Sequence, residues 1–138
     1  MNKKARSFVT IMVVVAVCAF LLRMAVQKII VYNTGHNQLL AQVNLKLLST
    51  ALENFAKNNS NIYPTNIDQL TKSQPVYLER NYLISDSIRG YEYDCQRLDV
   101  KGYNCSAEPI DCKLTGKMKY SVSTGGLIIA QNCESNKL

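Results

Sequence analysis

The sequence predicts an α+β protein: a long N-terminal α-helix, membrane-embedded in its first half and soluble in its second, packed on a small antiparallel β-sheet. Three observations carry this. A basic leader, Lys3-Lys4-Ala5-Arg6, runs into a charge-free apolar stretch from Phe8 to Leu22. From Gln38 to Lys57 apolar residues recur at steps of three and four, the spacing of one helix face. The last third alternates with period two around polar and Gly-containing turns, the pattern of half-buried strands. The chain divides on this reading into a basic leader (1–7), a transmembrane helix (8–31) and an outward-facing head (32–138).

Charge supports that division. The 138-residue chain has a formal net charge of +6. Lys3, Lys4, Arg6, Arg23 and Lys28 precede residue 32 with no acid among them, so nearly all of the excess sits there. The basic balance therefore reports membrane topology and not a nucleic-acid surface. The positive-inside rule puts residue 1 in the cytoplasm and the head across the membrane.

The run from Phe8 to Leu22 spans about 22 Å as a helix, short of a hydrocarbon core of about 30 Å. Extension to Val31 gives about 36 Å and takes in Arg23, Gln27 and Lys28. Arg23 and Lys28 reach the outer headgroups by snorkelling, with Tyr32 at the interface. Alternatively Arg23 and Gln27, four apart on one face, form a polar stripe against a neighbouring subunit. A cleaved secretory signal is the rival reading of the whole segment. It fits the basic and apolar regions, but the small residues of a cleavage site are missing after Leu22.

In the second half of the helix, Leu39, Leu40, Val43, Leu47, Ala51, Leu52 and Phe55 form the expected buried stripe. Asn44, Lys46, Ser49, Glu53 and Lys57 fall largely off it. Asn33-Thr34-Gly35 is either a break or a tolerated weak point, since Gly costs about 1 kcal/mol against Ala inside a helix. Ile62-Tyr63-Pro64 reads as extended chain. Thr65-Asn66-Ile67-Asp68 resembles a capping box opening a short helix to about Ser73, which Gln74-Pro75 stops. Strands are expected at 91–95, 103–107, 117–123 and 127–131, with hairpin turns at 99–102 and at Thr124-Gly125-Gly126.

Cys18 lies in the apolar run and reads as a small buried hydrophobe. Cys95, Cys105, Cys112 and Cys133 contain no CxxC and no common zinc spacing. An even set in a small exported domain reads as two disulfides, for which three pairings exist. A hairpin centred on Val100 sets Cys95 opposite Cys105, and directly opposed residues are close enough to bridge. That favours Cys95–Cys105 and Cys112–Cys133.

Catalysis finds no foothold. The single histidine, His36, has no evident acid or thiol partner and reads as a solvated residue. No P-loop, GxGxxG or nucleophile motif occurs. The eight tyrosines mostly flank apolar positions, which suits packing better than base stacking. No enzyme activity, cofactor, metal or nucleic acid is expected.

The order of these pieces resembles the type IV pilin-like proteins, and most of all a type II secretion pseudopilin. Lys4-Ala5-Arg6-Ser7-Phe8-Val9-Thr10-Ile11-Met12 resembles the family's cleavage-and-methylation motif. Asn44-Leu45-Lys46-Leu47-Leu48 and Ala51-Leu52-Glu53-Asn54-Phe55 resemble the soluble half of its helix. Ile62-Tyr63-Pro64, Leu70 and Tyr77-Leu78 look like its "YP…L…YL" loop. Gly90-Tyr91-Glu92-Tyr93, Gly102-Tyr103, Ala107-Glu108-Pro109 and Thr115-Gly116 resemble its strands and turns. The resemblance implies cleavage between Ser7 and Phe8 by a prepilin peptidase. It implies a single-pass inner-membrane protein with a periplasmic head. It also implies fibre assembly with other pilin-like subunits, the inner-membrane platform and membrane lipid, through Val9, Met12, Val13, Arg23 and Gln27. Ser7 stands where the family has Gly, and Met12 where it has Glu. Family members lacking that Glu tend to be minor or tip subunits. Two other readings remain: an anchored accessory or binding protein that does not polymerise, and a secreted disulfide-stapled domain.

Overall fold

The computed structural model describes residues 3–84 and 87–136. Met1 and Asn2 of the leader lie outside the described residues, and so does the side chain of Ser7. The element order is α1 (Lys3–Asn58), α2 (Asp68–Lys72), β1 (Tyr91–Asp99), β2 (Gly102–Pro109), β3 (Met118–Ser123) and β4 (Ile128–Asn132), closed by a 3-10 turn at Cys133–Asn136. This is the α+β class, with a helix packed on a four-stranded antiparallel sheet of order β1-β2-β3-β4. The chain forms two compact units, Met1–Asn33 and Thr34–Leu138.

Residues of α1 in the first unit are helical and exposed from Phe8 to Ile29. The segment is long and apolar enough to cross a membrane, by length and composition. Cys18, expected to be buried, is exposed and makes no disulfide; no described part of the chain covers it.

Within the second unit, α1 begins as helix at Thr34 and does not break at Gly35. The reason is side-chain chemistry one turn on. Thr34 Oγ1 donates to the Leu114 carbonyl (3.1 Å) and Asn37 Nδ2 to that of Thr115 (3.1 Å). Gln38 Oε1 accepts from the Lys117 amide at 2.8 Å. These three residues share a face at i, i+3 and i+4. They tie the helix to the loop before β3, which offsets the conformational cost of one glycine.

The buried stripe of α1 is the expected one in its C-terminal half, where Ala51 and Leu52 are buried and Phe55 packs against the core, but not before it. Ala41, Leu45, Leu48, Leu52 and Ala56 are buried, joined by Asn44 and Ser49. Leu39, Val43 and Leu47 instead stand 59%, 45% and 50% exposed. The helix is apolar on two faces, so spacing alone does not choose between them. The sheet chooses, because its tyrosine hydroxyls need partners. Asn44 Nδ2 donates to Tyr93 Oη (3.0 Å), and Ser49 Oγ bonds Tyr103 Oη (3.0 Å). Rolling the helix to bury Leu39, Val43 and Leu47 would strand these buried polar groups, at about 1–3 kcal/mol each; among the described residues none is stranded.

The inner sheet face is set by register. Tyr93, Ala107 and Tyr120 form one row across β1, β2 and β3, and Cys105 and Val122 the next. Ala107 gives the two flanking tyrosines room. Strands β1 and β2 are longer than expected, and the first hairpin turns on Val100-Lys101 with Asp99 opposite Gly102. That shifts the register by one from the expected hairpin. A bulge between Cys95 and Arg97 restores it, so Cys95 still faces Cys105. The bulge also keeps Leu98 on the same side as Tyr103, its partner across the ladder. The structure holds two disulfides, Cys95–Cys105 and Cys112–Cys133.

The second hairpin turns where Gly125 and Gly126 adopt φ of +95° and +75°, a region glycine enters without steric cost. The capping box is displaced. Thr65 is not the cap: Asn66 Oδ1 accepts from the Asp68 amide (2.9 Å), and Gln69 Oε1 accepts from the Thr65 amide (3.1 Å). Helix α2 ends at Lys72, one residue early, and seats Leu70 in the core.

Candidate functional site

Two surfaces stand out, and both belong to α1. In the first unit Phe8, Val9, Met12 and Val13 are exposed, as are Arg23 and Gln27. Phe8 belongs to the expected processing site and the other five are the residues expected to meet other subunits; the structure places all six on one helix, uncovered by the rest of the described chain. A helix apolar on all sides and uncovered is not stable in water, and needs lipid or another protein.

The second surface lies on the head. Leu39, Val43 and Leu47 run i, i+4, i+8 along the solvent face of α1. Beside them a groove of about 330 Å³ opens between the helix and the 77–82 loop, lined by Leu47, Ala51, Leu78 and Tyr82 among others. Tyr77 and Phe55 pack edge to face at 5.6 Å, and Asn58 Nδ2 donates to Tyr77 Oη at 2.8 Å, which fixes the loop to the helix. Sequence reading missed this surface because it assigned the same leucines to the core. The signal was present: Leu45 and Leu48 complete a second apolar stripe that Leu39, Val43 and Leu47 do not share.

Glu53 organises the far end of the head. Its carboxylate accepts from Tyr63 Oη (2.9 Å), Tyr103 Oη (2.9 Å) and the Gly125 amide (2.7 Å). Tyr103 donates to Glu53, so Ser49 is the donor to Tyr103. Burial alone raises the Glu53 pKa and is the largest influence, but the three donated bonds together hold it below the ordinary value. A carboxyl depressed in the folded state stabilises fully above its unfolded pKa. That contribution disappears as pH falls through the lower folded value. Glu53→Gln removes the charge from three hydrogen bonds, and we expect a loss of about 1–3 kcal/mol at neutral pH. The deficit should shrink as the pH falls below the ordinary carboxylate range. Urea unfolding of both proteins across that range measures it; an equal deficit at every pH would refute the charged clamp.

No protein-family model, curated protein or solved structure matches the chain. The structure itself establishes the fold class, the two disulfides and an apolar helix of membrane-spanning length. His36 is exposed on α1. Among the described residues no three His, Cys, Asp or Glu side chains gather as a metal site. Of the tyrosines, Tyr82, Tyr91, Tyr93, Tyr103 and Tyr120 are buried in the core, and Tyr63 and Tyr77 pack against it.

Proposed function

We propose that this chain is a structural subunit of a membrane-anchored, pilin-like fibre, of the kind that forms a type II secretion pseudopilus or a type IV pilus. One observation carries the reading: α1 offers apolar surface on both units that the chain itself does not cover. The first segment suits lipid before assembly and neighbouring helices after it. The Leu39-Val43-Leu47 stripe suits neighbouring subunits, because an exposed apolar row of this kind marks an interaction surface. Most of the first segment's area is already out of water in lipid, so close packing and lipid release supply the assembly energy. In this reading Ser7–Phe8 is the processing site, the inner membrane holds the anchor and the head lies in the periplasm. The role requires no catalytic group.

Cysteine pairs introduced along Val9 to Val26, in a Cys18→Ser chain, test this in native membranes containing other pilin-like subunits. We expect disulfide-linked multimers. Val14→Arg should abolish them, since a charge in mid-run costs about 2.5–3.5 kcal/mol in lipid and more in a packed bundle. His36→Ala should leave them intact. Absence of crosslinks would leave an anchored protein that does not polymerise.

A further inference from the structure

The head carries an open surface pocket of about 460 Å³ at the C-terminal end of α1, away from the apolar stripe. Its walls come from four segments: the last turn of α1, the 60–65 loop, Gln69 of α2 and the β1–β2 turn. They are tied to one another by backbone groups. The Tyr63 amide donates to the Val100 carbonyl (3.2 Å), and the Asn61 amide to that of Ala56 (2.8 Å). Ser60 and Asn61 hold left-handed φ of 57° and 62°, which turns the chain sharply around the rim. The volume lies within the range of small-ligand sites, and the cross-ties make the site preformed.

Its chemistry is specific in kind. None of the lining residues is charged. Three are amides, and each has one end already committed. Asn58 Nδ2 bonds Tyr77 Oη and Asn59 Nδ2 bonds the Phe55 carbonyl, at 2.8 Å each. Gln69 Oε1 accepts from the Thr65 amide. Those bonds orient the amides and leave Asn58 Oδ1 and Asn59 Oδ1 as acceptors and Gln69 Nε2 as a donor. Ile62 and Val100, about half exposed, add apolar surface to the same rim. Uncharged acceptors and a donor beside apolar surface match a ligand with many hydroxyls and a C–H face. An ion gains nothing there, and a purely apolar ligand would leave the amides unpaired.

We propose that this pocket binds a neutral sugar, one pyranose ring of a glycan. The ring hydroxyls donate to the two asparagine oxygens and accept from Gln69 Nε2, while ring C–H groups lie on Ile62 and Val100.

The test uses the full chain in phosphatidylcholine nanodiscs, which contain no sugar detergent. Saturation-transfer NMR is recorded with the methyl glycosides of glucose, galactose, mannose and N-acetylglucosamine. We expect saturable binding of at least one, strongest at ring C–H protons. Gln69→Glu keeps an acceptor for Thr65 and replaces the amide donor with a charged oxygen; it should weaken binding about tenfold, equivalent to about 1.4 kcal/mol. Val100→Glu keeps the backbone bond to Tyr63 and should weaken it at least as much. Circular dichroism of each variant establishes that the head is folded. Failure of all four glycosides to saturate, or binding unchanged in both folded variants, would overturn the proposal.

Discussion

Leu48→Ala lowers the stability of the head by about 2–5 kcal/mol, the range for emptying a fully buried leucine site. Leu47→Ala, one residue away, changes it by no more than about 0.5 kcal/mol. Leu48 is wholly buried against the sheet and Leu47 is half exposed. Thermal unfolding of the two variants, followed in the near ultraviolet where the tyrosines report packing, separates them. On the proposed fibre reading the order should reverse in membranes, with Leu47→Ala weakening subunit contacts and Leu48→Ala doing so only through unfolding. Equal losses of stability would mean that the helix sits on the sheet by a different face.

Removal of the Cys112–Cys133 bridge is the second large effect. The bridge closes a separation of 21 residues, against 10 for Cys95–Cys105. Chain entropy assigns such a closure about 3 kcal/mol, within an observed range of about 2–5. The smaller loop is in addition already held by the β1–β2 ladder. Paired Cys112→Ala and Cys133→Ala substitutions should therefore cost more than the Cys95 and Cys105 pair. The loss has a location. The bridge holds the 110–117 loop, whose carbonyls at Leu114 and Thr115 receive Thr34 and Asn37. Hydrogen exchange should thus quicken at the amides of 111–117 while β1 and β2 keep their protection. An unchanged unfolding midpoint, or loosening spread evenly over the sheet, would contradict this.

The chemistry that was legible in the sequence was the local kind. Period-two alternation located the first two strands, and Thr124-Gly125-Gly126 located the second turn and the two strands flanking it, because glycine's φ preference acts within a few residues. The cysteine pairing was legible for a less direct reason. A turn centred one step away and a one-residue bulge cancel, so the expected Cys95–Cys105 contact survives a register that was off. Nothing near Gln96 announces the bulge; it exists because Leu98 and Tyr103 share the inner face. The helix stripe was legible at Ala51, Leu52 and Phe55 and illegible before them, for the opposite cause. Two sets of leucines satisfy the same period, and the residues that decide between them, Asn44 and Ser49, looked like solvent-facing positions. Their partners, Tyr93 and Tyr103, lie 49 and 54 residues away. The end pocket was equally hidden, since it is assembled from residues near 58, 69 and 100.

The phenol groups of the sheet have a consequence beyond holding the head together. A cylinder with oil on two sides has two nearly equal ways to lie on a flat support. Asn44 with Tyr93, and Ser49 and Glu53 with Tyr103, permit one of them. The neutral bonds of Asn44 and Ser49 add only about 1 kcal/mol each in net stability, because water would satisfy the same atoms in the unfolded chain. What they fix is an angle of rotation. Every copy of the protein then presents the same row of side chains, at the same azimuth, to whatever approaches it. For repeated, identical joining that uniformity matters more than tightness, since a few degrees of error per copy accumulate along a line of copies. Tyr93 and Tyr103 act in this sense as keyways.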